Sequence, residues 1–272
     1  MRAADFSYLA ARTPLALAHR GGAELPENVG LENTMAAFHR AVDLGYGYLE
    51  TDVHATADGE VVAFHDDVLD RVTDGAGRIA ELPWSEVRRA RVGGAEPVPL
   101  LTELLGALPS ARVNIDVKAD AALDPTIEVL RRHDALDRVC LGSFDQRRLW
   151  RLRRALGPHV ATAAGELGTA LLRFTPRVVS GVLHTSAPVL QIPARHRVAG
   201  RTVTLVTPGL LHRAHATGKH VHVWFHPWST EDAAEYRRLL DLGVDGIVAD
   251  RIDVLAQVFR ERGLPLTPPF PV

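Results

Sequence analysis

His19, Arg20, Glu50, Asp52 and His65 fall within one stretch of this chain, Leu15 to Asp67, at spacings that suit a single mouth. The stretch holds Ala18-His19-Arg20-Gly21-Gly22, then Glu50-Thr51-Asp52, then, after a turn at Asp58-Gly59, Phe64-His65-Asp66-Asp67. Each cluster closes a short apolar, strand-like run: Leu15 to Ala18, Tyr48-Leu49, and Val61 to Phe64. Imidazoles titrate nearest neutrality and move protons, a guanidinium forks onto an anion, and carboxylates hold a cation. Gathered at strand ends, these groups point to chemistry at a phosphoryl ester.

A further strand-like run, Arg112 to Lys118, adds Asp116 and Lys118 on one face. Because strand side chains alternate, Glu50 and Asp52 also share a face. Glu50, Asp52 and Asp116 converging from neighbouring strands would repel one another unless a cation neutralised them. An all-oxygen donor set selects a hard ion, Mg²⁺ or Ca²⁺, over zinc. The plainer alternative is that they are solvated strand-end acids or salt-bridge partners. Arg20 and Lys118 are candidates to meet the two sides of a phosphodiester, or to balance the acids. His19 and His65 are the candidate acid–base pair. His39, His133, His159, His184, His196, His212 and His215 read as packed or surface residues.

The elements that must position these groups alternate along nearly the whole chain, the pattern of a parallel α/β fold. Glu32-Asn33-Thr34 opens an amphipathic run that Gly45 stops, and the second strand carries Glu50 and Asp52. From Asp66 to Leu100 the pattern breaks into turns, short pieces and a short helix around Trp84 to Arg91, which reads as an insertion over the mouth. Alternation then resumes with a helix opened by Asp124-Pro125, a strand at Val139 to Phe144, a basic helix from Gln146 to Leu156 and a strand at Val160 to Ala164. Further strands are expected at Val189 to Ile192, His220 to Phe225 and Gly246 to Ala249, with Val203 to Val206 a short strand or a loop. The last helices run from Thr230 to Leu242 and Val254 to Arg260. About eight such units suit a closed (β/α)₈ TIM barrel with a small subdomain inserted after the second strand. We therefore expect one barrel domain over residues 1–272, with the insertion at about 66–100. An open doubly wound sheet is the competing architecture, but no third glycine follows Gly21-Gly22 at the spacing of a dinucleotide fingerprint. The proline-rich tail, Pro265 to Val272, is expected to lie extended on the surface.

The bulk composition narrows the partners. Of 272 residues, 46% are hydrophobic and 24% charged, and the formal net charge is −2, so no basic excess favours nucleic acid. Any anion recognition must be local. The single cysteine, Cys140, sits in an apolar run, excludes an intramolecular disulfide and fits a reducing compartment. Met1 to Arg12 does not read as a secretory signal and no apolar run approaches the roughly 20 residues of a transmembrane segment. A cytoplasmic enzyme acting on a small-molecule phosphodiester is the expectation, with its oligomeric state open.

In order and spacing, the chain resembles the glycerophosphodiester phosphodiesterases. The likeness is carried by His19-Arg20-Gly21, Pro26-Glu27-Asn28 or Glu32-Asn33-Thr34, Glu50-x-Asp52, Asp58-Gly59, His65-Asp66, Asp116-x-Lys118 and Gly243-Val244-Asp245-Gly246-Ile247-Val248-x-Asp250. The resemblance implies a barrel with an inserted subdomain, a divalent metal, and hydrolysis of a glycerol phosphodiester to glycerol 3-phosphate and an alcohol. It also implies acid–base roles for His19 and His65, metal ligation by Glu50 and Asp52, and phosphate contacts from Arg20 and Lys118. Asp116 stands where the family commonly has glutamate. Two Glu-Asn pairs compete for one family position. Trp224 is a candidate substrate contact, and Phe225-His226-Pro227-Trp228 after it departs from the family's polar stretch. A phospholipase D-like lyase that forms a cyclic phosphate, and a non-catalytic phosphoglycerol-binding protein, are the alternatives.

Overall fold

The structure is a computed structural model that describes residues 1–165, 187–198 and 200–267. Eight parallel strands close a barrel: β1 (Leu15–Ala18), β2 (Tyr48–Ala55), β6 (Arg112–Val117), β7 (Val139–Gly142), β8 (Ala161–Ala164), β9 (Val189–Pro193), β12 (His220–Trp224) and β13 (Gly246–Ala249). Closure is complete because β1 pairs with both β2 and β13. A ninth strand, β3 (Val61–Ala63), runs antiparallel on β2. The expected (β/α)₈ TIM barrel is therefore the fold.

Helices return the chain from the end of one strand to the start of the next, and local sequence starts and stops them. Thr34 caps α1 (Met35–Asp43), accepting from the Ala37 amide at 3.2 Å. Asp145 caps α5 (Gln146–Leu156) through the amides of Arg147 and Arg148. Among the described residues the other barrel helices are α3 (Leu101–Ala107), α4 (Leu123–Arg132), α6 (Pro208–Ala216), α7 (Ala233–Leu242) and α8 (Ile252–Glu261). Gly243, with φ of 85°, ends α7 in the left-handed conformation that glycine adopts without strain.

Strand side chains sort by alternation. Outward residues such as Leu49, Val113, Ile115 and Leu141 meet the helices in the main core. Inward residues at the strand starts, among them Leu15, Leu17, Tyr48, Cys140 and Val189, pack against Phe6, Tyr8 and Leu9. The first residues, in turns at Ala3–Asp5 and Ser7–Leu9, thus plug the floor of the barrel. Tyr8 lies edge-on to Tyr48 at 5.3 Å, and the Tyr48 hydroxyl donates to the Tyr8 carbonyl at 2.9 Å. Cys140 is buried here, and burial holds its thiol protonated.

The segment from Asp66 to Leu100 has a small core of its own, in which Phe64, Leu69, Ile79, Val87 and Val92 pack together. It holds the one-turn helix α2 (Trp84–Val87) and a hairpin of β4 (Arg91–Val92) and β5 (Glu96–Pro97). A second hairpin, β10 (Arg195–Val198) with β11 (Arg201–Thr204), stands outside the barrel between β9 and α6. Of the stretch expected at Val203 to Val206, Val203 and Thr204 end its second arm and Leu205 and Val206 lie beyond it. β7 ends at Gly142 rather than Phe144, because the Ser143 hydroxyl turns to the Val117 carbonyl at 2.9 Å and Phe144 swings out. Of the tail, Thr267 bonds the Gly45 carbonyl at 2.6 Å, and residues 268–272 lie outside the described residues, as does His184. Among the described residues no helix is long and apolar enough to cross a membrane.

Candidate active site

β1 gives way directly to a strained turn. His19–Gly21 form a single 3₁₀ turn with Arg20 at φ 50° and ψ 32°, a conformation that L-residues adopt only when the surroundings fix it. Asn28 fixes it: its side-chain amide donates to the carbonyls of Gly21 and Gly22 at 3.0 and 3.1 Å, while Arg40 holds its oxygen at 3.0 Å. A side chain at Gly22 is excluded, since a Cβ there would lie 2.4 Å from Ile252. Asn33 closes the turn from the other side. Its amide N–H donates to the Arg20 carbonyl at 2.9 Å and its side chain reaches Asp52 at 3.2 Å. The two Glu-Asn pairs therefore divide the work, with Asn28 bracing the turn, Glu32 lining the site and Asn33 buried behind Asp52.

Each histidine is held by a carboxylate on its Nδ1, which leaves Nε2 to face the pocket. His19 Nδ1 lies 2.8 Å from Asp250 Oδ1, and its Nε2 is 3.7 Å from Glu50. Burial opposes the charged form, but Asp250 and Glu50 outweigh it and push the His19 pKa up to about 9. Asp250 is itself held: its amide donates to Glu231 at 2.7 Å, and Glu231 accepts the Tyr236 hydroxyl. His65 Nδ1 lies 2.6 Å from Asp66. Burial lowers the His65 pKa, and the Asp52 and Asp66 carboxylates only partly offset it against Arg20 and Lys118.

The three carboxylates and two cations occupy one wall. Lys118 Nζ stands 2.8 Å from both Asp52 and Asp116. Arg20 reaches Glu32 at 3.1 Å and Asp52 at 3.4 Å, and its amide donates to Glu50 at 3.1 Å. Burial and the Asp52 charge push Glu50 up to about 7, whereas Lys118 and Arg20 overcome burial and hold Asp52 at about 2. Among the described residues no three His, Cys, Asp or Glu side chains are drawn together as a ready metal cage. Lysine bridges two of the expected ligands instead. Asp116 Oδ1 is nevertheless buried without a hydrogen-bond partner, and seven carboxylates line the pocket against Arg20, Arg71 and Lys118. An orphaned carboxylate oxygen in an all-oxygen, electron-rich wall fits a hard divalent cation.

The cavity, about 920 Å³, extends from this charged wall to an apolar one. Phe144, Ile192, Leu205, Leu210 and Trp224 make up its apolar lining, and Phe144 borders the charged wall, with Lys118 Nζ 5.5 Å from its ring centre. Phe144 is 60% exposed at the rim and lies edge-on to Trp224 at 6.3 Å. Trp224 meets His226 at 4.5 Å, and His226 stacks on Trp228 at 5.1 Å. His196, read from sequence as a packed or surface residue, lines the pocket beside His226.

All the residues singled out from sequence, His19, Arg20, Glu50, Asp52, His65, Asp116, Lys118 and Trp224, line this one cavity. Their fixing partners were not singled out. Asp66 adjoins His65, Asp250 closes the Gly243 to Asp250 motif and Glu32 opens Glu32-Asn33-Thr34, so all three stand in motifs visible in the sequence, whereas Arg71 and Glu231 had no local signal.

The glycerophosphoryl diester phosphodiesterase family matches residues 19–254. A Mycobacterium tuberculosis protein, probable glycerophosphodiester phosphodiesterase 2, is 39% identical over 256 residues, 92% of each chain. The human lysophospholipase D GDPD1 is 29% identical over 269 residues, 86% of this chain and 82% of that one. Among solved structures, an Oleispira antarctica phosphodiesterase in complex with the product sn-glycerol 3-phosphate superposes with a TM-score of 0.73 at 24% identity, covering 91% of this chain and 97% of that one.

Proposed function

Because the chain belongs to the glycerophosphoryl diester phosphodiesterase family, we propose that it hydrolyses glycerophosphodiesters to glycerol 3-phosphate and an alcohol, by acid–base catalysis between two histidines and with a divalent cation bound. The observation that carries this reading is the pairing of His19 with Asp250 and His65 with Asp66 across a wall of opposed carboxylates and cations. Glu50, Asp52 and Asp116 would hold Mg²⁺ or Ca²⁺, which when bound offsets negative charge on the phosphodiester. Arg20 and Lys118 orient the ester and add to that neutralisation. His65, whose environment keeps it neutral, takes the proton of the attacking hydroxyl, from water or from the neighbouring glycerol oxygen. His19, kept charged by Asp250, gives its proton to the leaving alkoxide. A cytoplasmic setting accords with the lone buried thiol. The test is a panel of diesters with the metal varied, read by phosphorus NMR. Glycerol 3-phosphate supports hydrolysis, a persistent cyclic ester the lyase, and binding without turnover a non-catalytic role.

The acid role of His19 has a pH signature. A proton donor is lost as pH rises through its pKa, and Asp250 lies outside the proposed ligand set. Asp250→Asn removes a charge that raises that pKa, so the descending limb of the kcat/KM profile is expected to move to lower pH. A limb left in place would take the donor role away from His19.

A second reading is favoured by the apolar wall: diesters in which one arm carries an acyl chain. The human relative is named a lysophospholipase D, and a 920 Å³ cavity lies near the upper end of the roughly 300–1,000 Å³ of small-molecule sites. With the head group fixed, kcat/KM is expected to rise with chain length, up to about fourfold for each methylene buried at ~0.8 kcal/mol. A flat chain-length series discards this reading and leaves the first intact.

A further inference from the structure

Arg71 has no place among the residues read for chemistry, yet it joins both halves of the site. It comes from the inserted subdomain and lies 47% exposed on the pocket wall. Its Nε donates to Asp66 Oδ2 at 2.5 Å and its Nη2 to Asp66 Oδ1 at 3.1 Å. Toward Glu32, Nη1 reaches Oε2 at 3.0 Å and Nη2 reaches Oε1 at 2.7 Å. Asp66 is the carboxylate that holds His65 Nδ1 at 2.6 Å, and Glu32 is the one that meets Arg20 Nη1 at 3.1 Å.

Resting on the proposed diesterase reaction, we propose that Arg71 is a positioning residue with two tasks: it sets the His65 ring through Asp66, and it engages both oxygens of Glu32, so that Glu32 meets Arg20 through Oε1 alone. The inserted subdomain then completes the active site as well as covering part of it. The physical basis is the planar guanidinium, which grips two carboxylates by two bonds each and fixes their planes relative to one another. Asp66 without that grip rotates toward solvent, and His65 loses the acceptor that selects its tautomer. Glu32 without it keeps Arg20 as its remaining guanidinium partner. A fork-to-fork pair between Glu32 and Arg20 would then compete with the phosphodiester for the same donors. A lysine at position 71 restores the charge but not the two-sided planar grip.

The test is steady-state kinetics on glycerophosphocholine with Mg²⁺ for the wild type, Arg71→Met, Arg71→Lys and the double variant Arg71→Met with Glu32→Gln, each checked for its melting temperature. Arg71→Met is expected to lower kcat about 10- to 100-fold, the range for losing a supporting partner of this kind, and to raise KM. Arg71→Lys should recover little of the kcat. Glu32→Gln in the methionine background should restore KM while leaving kcat low, a split that loss of a merely structural bridge would not produce. Wild-type kcat and KM in Arg71→Met would overturn the proposal, as would full rescue by lysine or a KM unmoved by Glu32→Gln. A wild-type enzyme with no turnover sinks the diesterase reading and this one together, whereas normal wild-type turnover with unaffected variants sinks this one alone.

Discussion

His19→Ala is expected to lower kcat on an alkyl diester such as glycerophosphocholine by about 10²–10⁴-fold, the range for removing a general acid, with a much smaller change in KM. The reason is the leaving group, because an alkoxide expelled without a proton is a strong base and a poor leaving group. His19 is placed to supply that proton, with Nδ1 fixed by Asp250 and its Nε2 side toward Glu50 and the pocket. The same variant should recover most of its loss on a p-nitrophenyl diester, whose leaving group departs as a stabilised anion. His65→Ala should stay slow on both substrates, since a base that activates the nucleophile is needed whatever leaves. Equal losses on the two diesters in His19→Ala would exchange or abolish the assigned roles. Removing His19 also leaves Asp250 buried beside Glu231, itself pushed up to about 7 by burial and the Asp250 charge. His19→Gln, which can still donate to Asp250, therefore serves as the control for folding.

What was legible in the sequence follows from what is local. Alternation of two over Tyr48 to Ala55 put Glu50 and Asp52 on the inner face, and the strand has all eight residues buried, as an interior barrel strand must. The barrel was readable because its units repeat that signal. The β10–β11 hairpin was not, because Arg195 to Thr204 carries no apolar face, and the four residues of β11 are all exposed. The same limit applies within the site. Spacing of two placed Asp116 and Lys118 together, but spacing cannot say whether the pair meets a ligand or each other, and here they meet at 2.8 Å. The partner of His19 lies 231 residues away along the chain. Only closure of the barrel, with β13 paired to β1, brings Asp250 beside it. Trp224 and Phe225 both border the cavity, and Phe225 is also buried edge-on to Tyr236 at 5.8 Å.

Stripping divalent cations with EDTA is expected to abolish turnover, and Mg²⁺ or Ca²⁺ should restore it. Seven carboxylates line the pocket against two arginines and a lysine, so an anionic diester enters a field already negative. Each uncompensated charge about 4 Å away opposes it by roughly 4 kcal/mol at an effective dielectric near 20, enough to forfeit about three orders of magnitude in affinity. Burial first, and then the Asp52 charge, push Glu50 up to about 7, so the carboxylates resist one another as well. A cation that binds the folded site alone should raise the melting temperature, by the equivalent of about 2.7 kcal/mol at one hundred times its dissociation constant. Asp116→Asn keeps the shape of the side chain, removes its charge, and should lose most of that rise, because Asp116 Oδ1 is the buried oxygen left without a partner. Melting is therefore a readout independent of turnover. Metal-independent hydrolysis with no cation-dependent shift in melting would give the opposite answer. Lys118, already 2.8 Å from Asp52 and Asp116, would then be the resident counter-ion, and the carboxylates would need no metal.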